Sequence, residues 1–358
     1  MGAVCSSARA VRSRPQAERP QASSHTSGAA DEDDFVTAEK FGLSGHDIGT
    51  VRCADARTVA ASQTDDDLDA YADALPWEER SMAFLNPVHP SYVPLEECNR
   101  AVAARKPLMN TYSRPSPASF MVRGPLYLQQ GGKNQKHLKQ EAVAPPYAIE
   151  GLSMFHSPHK LSHIAQEVKQ LQRFFASHPP DSNPNLPTFF VLNWILSSLG
   201  AKDVSVVNHV FKLVNAKEAE QDVALCNAMK RFLAGTDAEK NSQFKFMFRV
   251  VDAPGGLSRI VSFLGGERPV LVGKQLAAWT HRGPNYLEID LDVSSSKIAA
   301  TLKSSIMAQI GTVVHDHCFL LEAQRQEELP ERVLALLRWN WNEAKDVTVM
   351  LDDDGEKI

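Results

Sequence analysis

Apolar side chains recur with a regular period from about residue 77 to about residue 350, and almost nowhere before that. Runs rich in Val, Ile, Phe and Tyr, bounded by Gly, Pro, Asn or Asp, predict strands over 119–129, 187–196, 204–214, 244–251, 259–263 and 286–293. Leu161, Ile164, Val168, Leu171 and Phe175 share a helical spacing and predict one amphipathic helix. Further helices are predicted over 216–233 and 296–313. The strands follow one another in runs and do not alternate strictly with helices. That order favours an α+β class, a mostly antiparallel sheet packed with several helices and with room for a lipid-sized cavity.

The clearest local pattern lies near residue 290. Leu287, Ile289, Leu291 and Val293 point to one side of a strand, and Tyr286, Glu288, Asp290 and Asp292 to the other. Pro284 keeps Gly283 out of the α region, so Gly283-Pro284-Asn285 reads as a turn feeding that strand. Ser294, Ser295 and Ser296 suit the cap of a following helix, whose Ile298, Leu302, Ile306, Ile310 and Val313 form an apolar stripe. Like charges two residues apart on one face repel unless compensated. Glu288, Asp290 and Asp292 are therefore expected to face water or to pair with arginine or lysine. A bound cation is the weaker alternative, because no companion ligands can be identified.

Arg123-Gly124-Pro125-Leu126-Tyr127-Leu128 repeats the Arg-Gly-Pro-x-Tyr-Leu string of Arg282-Gly283-Pro284-Asn285-Tyr286-Leu287. The plain expectation is that each arginine bridges a carboxylate. The sharper one makes Arg123, Arg282 and Tyr286 candidate ligand-binding residues, the two planar guanidinium groups converging on an anion such as a lipid phosphate.

The polar regions divide the rest of the chain. Residues 1–20 form a candidate anchor, 21–76 a polar linker, 77–350 the globular domain and 351–358 an acidic tail. Asp31-Glu32-Asp33-Asp34 and Asp65-Asp66-Asp67, with few large apolar side chains around them, predict a disordered N-terminal region. Met1-Gly2-Ala3-Val4-Cys5-Ser6 fits the N-myristoylation pattern, with Gly2 as acceptor and Cys5 placed for palmitoylation. One myristoyl chain binds a membrane only marginally, at roughly 10⁴ M⁻¹, and a second signal is needed for stable attachment. Cys5 is one such signal. Arg9, Arg12, Arg14 and Arg19 are another, each contributing about 1 kcal/mol near an anionic leaflet. These features predict attachment to membrane lipids at the cytoplasmic face, specifically of the plasma membrane.

Bulk composition narrows the function. Net charge is −5, without the basic excess of a nucleic-acid binder, so nucleic acid is not an expected partner. Cys5, Cys53, Cys98, Cys226 and Cys318 are scattered and include no CxxC pair, which suits a reducing compartment. No apolar run approaches the ~20 residues of a membrane span. Phosphate loops and nucleophile elbows are missing, so neither cofactor nor catalysis is predicted. In His315-Asp316-His317-Cys318 the two histidines share one strand face and Asp316 and Cys318 the other, so adjacency makes no site. His156, His159 and His163 carry no HExxH pattern, and no metal site is predicted.

Arg282-Gly283-Pro284-Asn285-Tyr286-Leu287-Glu288-Ile289-Asp290-Leu291-Asp292-Val293-Ser294-Ser295-Ser296 resembles the hallmark of the C-terminal domain of plant Enhanced Disease Resistance 2-like proteins. Phe120-Met121-Val122-Arg123-Gly124-Pro125-Leu126-Tyr127-Leu128 is similar to that domain's opening strand, and Phe189-Phe190-Val191-Leu192-Asn193-Trp194 to its central strand. Phe319-Leu320-Leu321-Glu322-Ala323 and the segment 327–334 resemble its close. In the plant proteins this domain follows a pleckstrin-homology and a START lipid-binding domain, and it has no established catalytic activity. Fewer than eighty residues precede Trp77 here, too few for either module. The resemblance thus implies a non-enzymatic regulatory or adaptor protein in which acylation replaces those modules, the globular domain binding a lipid or a protein. The alternatives are a lipid-directed hydrolase or transferase using Asp290 and Asp292, and a structural protein of the membrane skeleton.

Overall fold

The structure, a computed structural model of the chain, describes residues 90–129, 135–197, 204–253, 268–296 and 310–358. Gly2, Cys5, the predicted strand over 259–263 and most of the predicted helix over 296–313 lie outside the described residues.

Strands dominate. β1 (Ser91–Tyr92) and β2 (Thr111–Ser113) precede β3 (Met121–Arg123) and β4 (Lys139–Glu141), which pair as a small separate sheet. There follow β5 (Tyr147–Ser157), β6 (Phe189–Ser197), β7 (Val204–Leu213), β8 (Phe244–Asp252) and β9 (Val270–Leu271). β10 (Ala277–Arg282), β11 (Tyr286–Asp292), β12 (Val314–Leu321), β13 (Val333–Asn340) and β14 (Thr348–Met350) complete the set. The main sheet has 12 strands, in the order β10-β11-β6-β7-β5-β13-β12-β8-β9, with β14 paired to the central strand β5, β2 to the central strand β13, and β1 to β2.

This corrects the expected fold class. The sheet is mixed, since β11 runs parallel to β6, and β13 and β14 run parallel to β5. Alternation within 286–292 reports which side chains share a face but not the direction of the neighbouring strand. A long connection between β6 and β11 permits the parallel pairing that a tight hairpin could not. Helices are few and short, and the sheet curls into a half-barrel.

The curl has a local cause. β5 and β13 meet through one residue pair, Ala335 with Tyr147, so the two halves of the sheet can fold toward each other there. Trp194 of β6 consequently packs on Phe246 of β8, ring centroids 5.2 Å apart, although β7, β5, β13 and β12 lie between those strands in the sheet. Phe190, Phe211, Phe319 and Phe244 form a closed ring of contacts across the concavity, with centroids 5.8, 5.9, 6.3 and 6.1 Å apart in turn. Where a lipid-sized cavity was expected, these rings fill the level of the interior that they occupy.

The convex side behind β6, β7 and β11 is covered by residues 161–175. Leu161, Ile164, Val168, Leu171 and Phe175 are all buried there, as their spacing requires. They do not form one helix. Ile164–Glu167 and Lys169–Ala176 are separate helices, broken at Val168, whose backbone is extended (φ −91°, ψ 112°). The break frees the Lys169 amide to donate to the Gly355 carbonyl at 3.1 Å. Gly355 has φ +77°, and a Cβ there would lie 2.0 Å from the Glu167 carbonyl oxygen, so only glycine fits. The predicted helix over 216–233 likewise divides at Asp222, which caps the helix Val223–Ala234 by accepting from the Leu225 amide. Of the strand predicted over 119–129, only Met121–Arg123 pairs, because Pro125 has no N–H to continue the ladder.

Candidate functional site

The signature strand β11 carries the densest polar cluster. Its Leu287, Ile289 and Leu291 enter the concave core, which leaves Glu288, Asp290 and Asp292 on the convex side. They do not face water. Glu288 and Asp290 are completely buried, covered by residues 160–166. The Glu288 carboxyl accepts from the backbone amides of Ile164 (2.6 Å) and Ala165 (3.1 Å). Asp290 accepts from the His163 amide (2.8 Å), Asn193 Nδ2 (2.9 Å) and His281 Nε2 (3.0 Å). Asp292 takes Lys160 Nζ at 2.7 Å and the Ser294 amide at 2.9 Å. Compensation comes from backbone amides and histidine as well as from lysine, a solution that the expectation of solvent or Arg/Lys pairing did not include.

Burial, and then the neighbouring Asp290 charge, push the Glu288 carboxyl well above the usual range. Burial acts on Asp290 in the same direction, but hydrogen bonds from His281, Glu288, Asn193 and the His163 amide outweigh it and hold that carboxyl low. The two carboxyl groups share one buried site, and the proton is held more tightly on Glu288 than on Asp290.

His163 occupies the left-handed region at φ +60°, unusual for a side chain of that shape. Asp290 on its amide and Tyr286 Oη at 2.8 Å from its Nε2 hold it there. Its ring stacks on His281 at 4.3 Å with the planes 5° apart. Burial, and then the neighbouring His281, lower the His163 imidazole.

The remaining signature residues form a corner. Arg282 donates to Asp181 Oδ2 at 2.6 Å and to the Tyr286 carbonyl at 2.7 Å. Asn285 donates to the Phe175 and His178 carbonyls at 2.8 and 3.0 Å. A Cβ on Gly283 would come within 2.1 Å of the Tyr286 ring. Pro284 presents its carbonyl to the Asp181 amide at 2.9 Å.

Arg123 belongs to a different cluster. It is buried, donates to the Ala323 carbonyl at 3.0 Å and lies 3.4 Å from Glu322 and 3.7 Å from Glu331. Lys245 completes that group, 2.9 Å from Glu331 and 3.0 Å from Glu322. The structure thus brings Arg282 and Tyr286 together but gives Arg123 carboxylates of its own. The repeated string has a shared steric logic, since a Cβ on Gly124 would meet the Leu138 carbonyl oxygen at 2.5 Å.

A second cluster lies on the concave side. As alternation required, His315 and His317 point inward while Asp316 points outward, where Arg249 Nε (2.9 Å) and Arg338 Nε (2.6 Å) bind it. The two histidines meet His209 of β7, Trp339 of β13 and Phe246 and Phe248 of β8. His209 and His317 centroids are 5.7 Å apart, and those of His315 and His317 4.8 Å. Trp339 donates its indole N–H to His209 Nε2 at 3.0 Å, which places the His209 proton on Nδ1. That Nδ1, the Nδ1 atoms of His315 and His317, and Trp194 Nε1 are buried without a hydrogen-bond partner. Burial lowers His209 to about 3 and His315 to about 4, and lowers His317 well below its ordinary value. His209 and Trp194 carry no sequence signal, because each sits inside an apolar strand run. Among the described residues no group of histidine, cysteine and acidic side chains has the arrangement of a metal site.

Comparison with known proteins fits this placement of the signature. The family described as Protein ENHANCED DISEASE RESISTANCE 2, C-terminal, matches residues 112–341. A Protein ENHANCED DISEASE RESISTANCE 2-like from Arabidopsis thaliana is 37% identical over 126 residues, covering 35% of this chain and 17% of the relative. The chain therefore spans a small part of that relative's length. No solved structure matches it. With the match running from β2 to just past β13 and taking in the signature strand, the chain belongs to the Enhanced Disease Resistance 2 C-terminal family.

Proposed function

We propose that this chain is a membrane-tethered, non-enzymatic regulatory or adaptor protein. Gly2 and Cys5 carry acyl chains, the arginines at 9, 12, 14 and 19 add attraction to anionic lipid, and the family domain binds a lipid or protein ligand. The observation that carries the reading is how the signature spends its polar groups. Arg282, Asn285, Glu288 and Asp290 are all engaged in holding residues 160–188 to the sheet, which is the work of a scaffold. The test is metabolic labelling with an alkyne myristate, followed by fractionation of the full chain. The wild type is expected to be labelled and to sediment with membranes, and Gly2→Ala to be unlabelled and soluble. Undiminished membrane attachment of Gly2→Ala would overturn the tether.

A second reading has one observation in its favour. Asp290 lies 3.0 Å from His281 Nε2, and the His281 side chain is 28% exposed, so the pair has the form of an oriented general base. A lipid-directed hydrolase would use that pair. Esterase activity lost in His281→Ala, with the melting temperature retained, would establish it over the scaffold reading.

A further inference from the structure

The hairpin partner of the signature strand lies at one end of the main sheet. β10 pairs with β11 on one side, and no described strand pairs with its other side. The register runs without a bulge from Ala277 opposite Asp292 to Arg282 opposite Leu287. The turn fixes which backbone groups point outward. Gly283 donates its amide to the Tyr286 carbonyl at 3.0 Å, so in the alternating ladder His281, Trp279 and Ala277 exchange their bonds with β11. The N–H and C=O groups of Ala278, Thr280 and Arg282 therefore turn to the other side. Asn241 Nδ2 meets the Ala278 carbonyl there at 3.3 Å, which agrees with this phase and closes the start of the strand. Thr280 and Arg282 form the open stretch.

An open edge is a template for another strand, and proteins commonly blunt it with proline, lysine, a bulge or a very short strand. β9, at the other end of the sheet, is two residues long. β10 has six, Ala277-Ala278-Trp279-Thr280-His281-Arg282, and uses none of those devices. Its flank is cationic. Trp279 and His281 lie opposite Asp290 and Glu288 and share the convex face with them. Lys160 Nζ sits 4.7 Å from the Trp279 ring centroid, with its side chain 43% exposed, and the Arg282 side chain is 32% exposed at the strand's end. The carboxylates that pair with these two, Asp292 and Asp181, are 9% and 3% exposed. The exposed acids Asp237 and Glu239 belong to the helix Asp237–Asn241, at the closed start of the edge, where Glu239 is held in a capping box with Thr236.

We propose that the Thr280–Arg282 edge of β10 receives an extended acidic peptide of a protein partner as an added strand. Backbone bonds to Thr280 and Arg282 supply the affinity, as in other cases of strand addition. Alternate side chains of the added strand fall on the convex face beside Trp279, where a carboxylate meets Lys160. The inference rests on reading the domain as an adaptor that binds a protein, and is independent of the acyl tether.

The test uses the full chain and a fluorescent decapeptide of alternating glutamate and valine, followed by anisotropy. The same peptide with its backbone amides N-methylated, and one of alternating lysine and valine, serve as comparisons. The glutamate peptide is expected to bind at least about tenfold more tightly than either, since the first cannot donate to the edge and the second carries the wrong charge. Thr280→Pro removes an N–H that points away from β11, so the hairpin keeps its ladder while the edge loses a donor. It is expected to weaken the glutamate peptide about tenfold with the melting temperature retained, and Thr280→Val, which keeps the N–H, to bind as the wild type does. Lys160→Ala should weaken binding about threefold. Equal binding of the N-methylated peptide would overturn the proposal without any variant being needed. So would no binding, or binding lost in Lys160→Ala but untouched in Thr280→Pro, the result for a surface that attracts charge only. Self-association of the chain that depends on Thr280, without peptide binding, would give the edge to a second copy and overturn it as well. The tether is judged by fractionation of Gly2→Ala, so failure of the edge and failure of the tether are distinguishable.

Discussion

The two faces of this sheet treat buried polar groups in opposite ways. Behind β11, two carboxyl groups with no access to water collect backbone amides, an asparagine and a histidine until their bonding capacity is nearly used. Inside the curl, three neutral imidazoles and an indole keep buried atoms that nothing meets. Polar residues alone do not separate structure from recognition, since both clusters contain histidine and both are buried. The state of their partners separates them. The convex carboxyl groups hold two segments of one chain together through amides, whereas the concave imidazoles are kept neutral by burial among aromatic rings.

Removing one member from each cluster is the direct way to break this contrast. Asp290→Ala would leave the His163 amide, Asn193 and His281 unpaired and would vacate the strained turn at His163. A loss of about 3–4 kcal/mol is expected in urea unfolding, enough to make the domain marginal. A change below about 1 kcal/mol would mean that the convex cluster is no latch.

The pH dependence of stability addresses the concave side. His209 titrates at about 3 when folded and near 6.5 when unfolded, so the unfolded chain binds the extra proton between those values. Its contribution is therefore present above pH 6.5 and is lost as the pH falls toward 3. Each such histidine should cost roughly 2 kcal/mol between pH 7 and pH 5. His209→Phe is expected to flatten the acid limb by about that amount, whatever its effect at pH 7. Glu288 acts in the opposite sense. Its raised carboxyl favours the fold below the unfolded value of 4.5, and that contribution is lost as the pH rises through the higher folded value. An acid limb unchanged in His209→Phe would show that the imidazole is not held neutral by burial.

The smallest effect is expected at the edge of the convex cluster. Lys160 pairs with Asp292, but its side chain is 43% exposed and it also lies over the Trp279 ring. Exposed ion pairs contribute little, and Lys160→Ala should cost about 0.5 kcal/mol or less. A loss comparable to that of Asp290→Ala would spread the latch over the whole acidic face instead of confining it to the buried pair.

Much of this organisation was legible in the order of residues. Alternation over 286–292 correctly separated Leu287, Ile289 and Leu291 from Glu288, Asp290 and Asp292, because the pleat enforces a period of two whatever the strand pairs with. The same rule put His315 and His317 on one face. Spacing marked Leu161, Ile164, Val168, Leu171 and Phe175 as one buried set, and the signature string pointed to the family that the chain belongs to.

Periodicity is local, however, and the decisive contacts are not. Nothing near Glu288 announces that the amides of Ile164 and Ala165 will cover it from more than 120 residues away. The break at Val168 depends on a carbonyl at Gly355, and the parallel pairing of β11 with β6 on a crossover, so neither can be read from its own segment. His209 and Trp194 look like ordinary members of apolar strands until the curl carries them to β12 and β8. The sequence by itself thus determined the faces, the glycine turns and the family, because each follows from steric rules acting over a few residues. Tertiary structure alone decided which polar atoms would be answered and which left open, because a hydrogen-bond partner is supplied by whatever strand or loop the curl brings near.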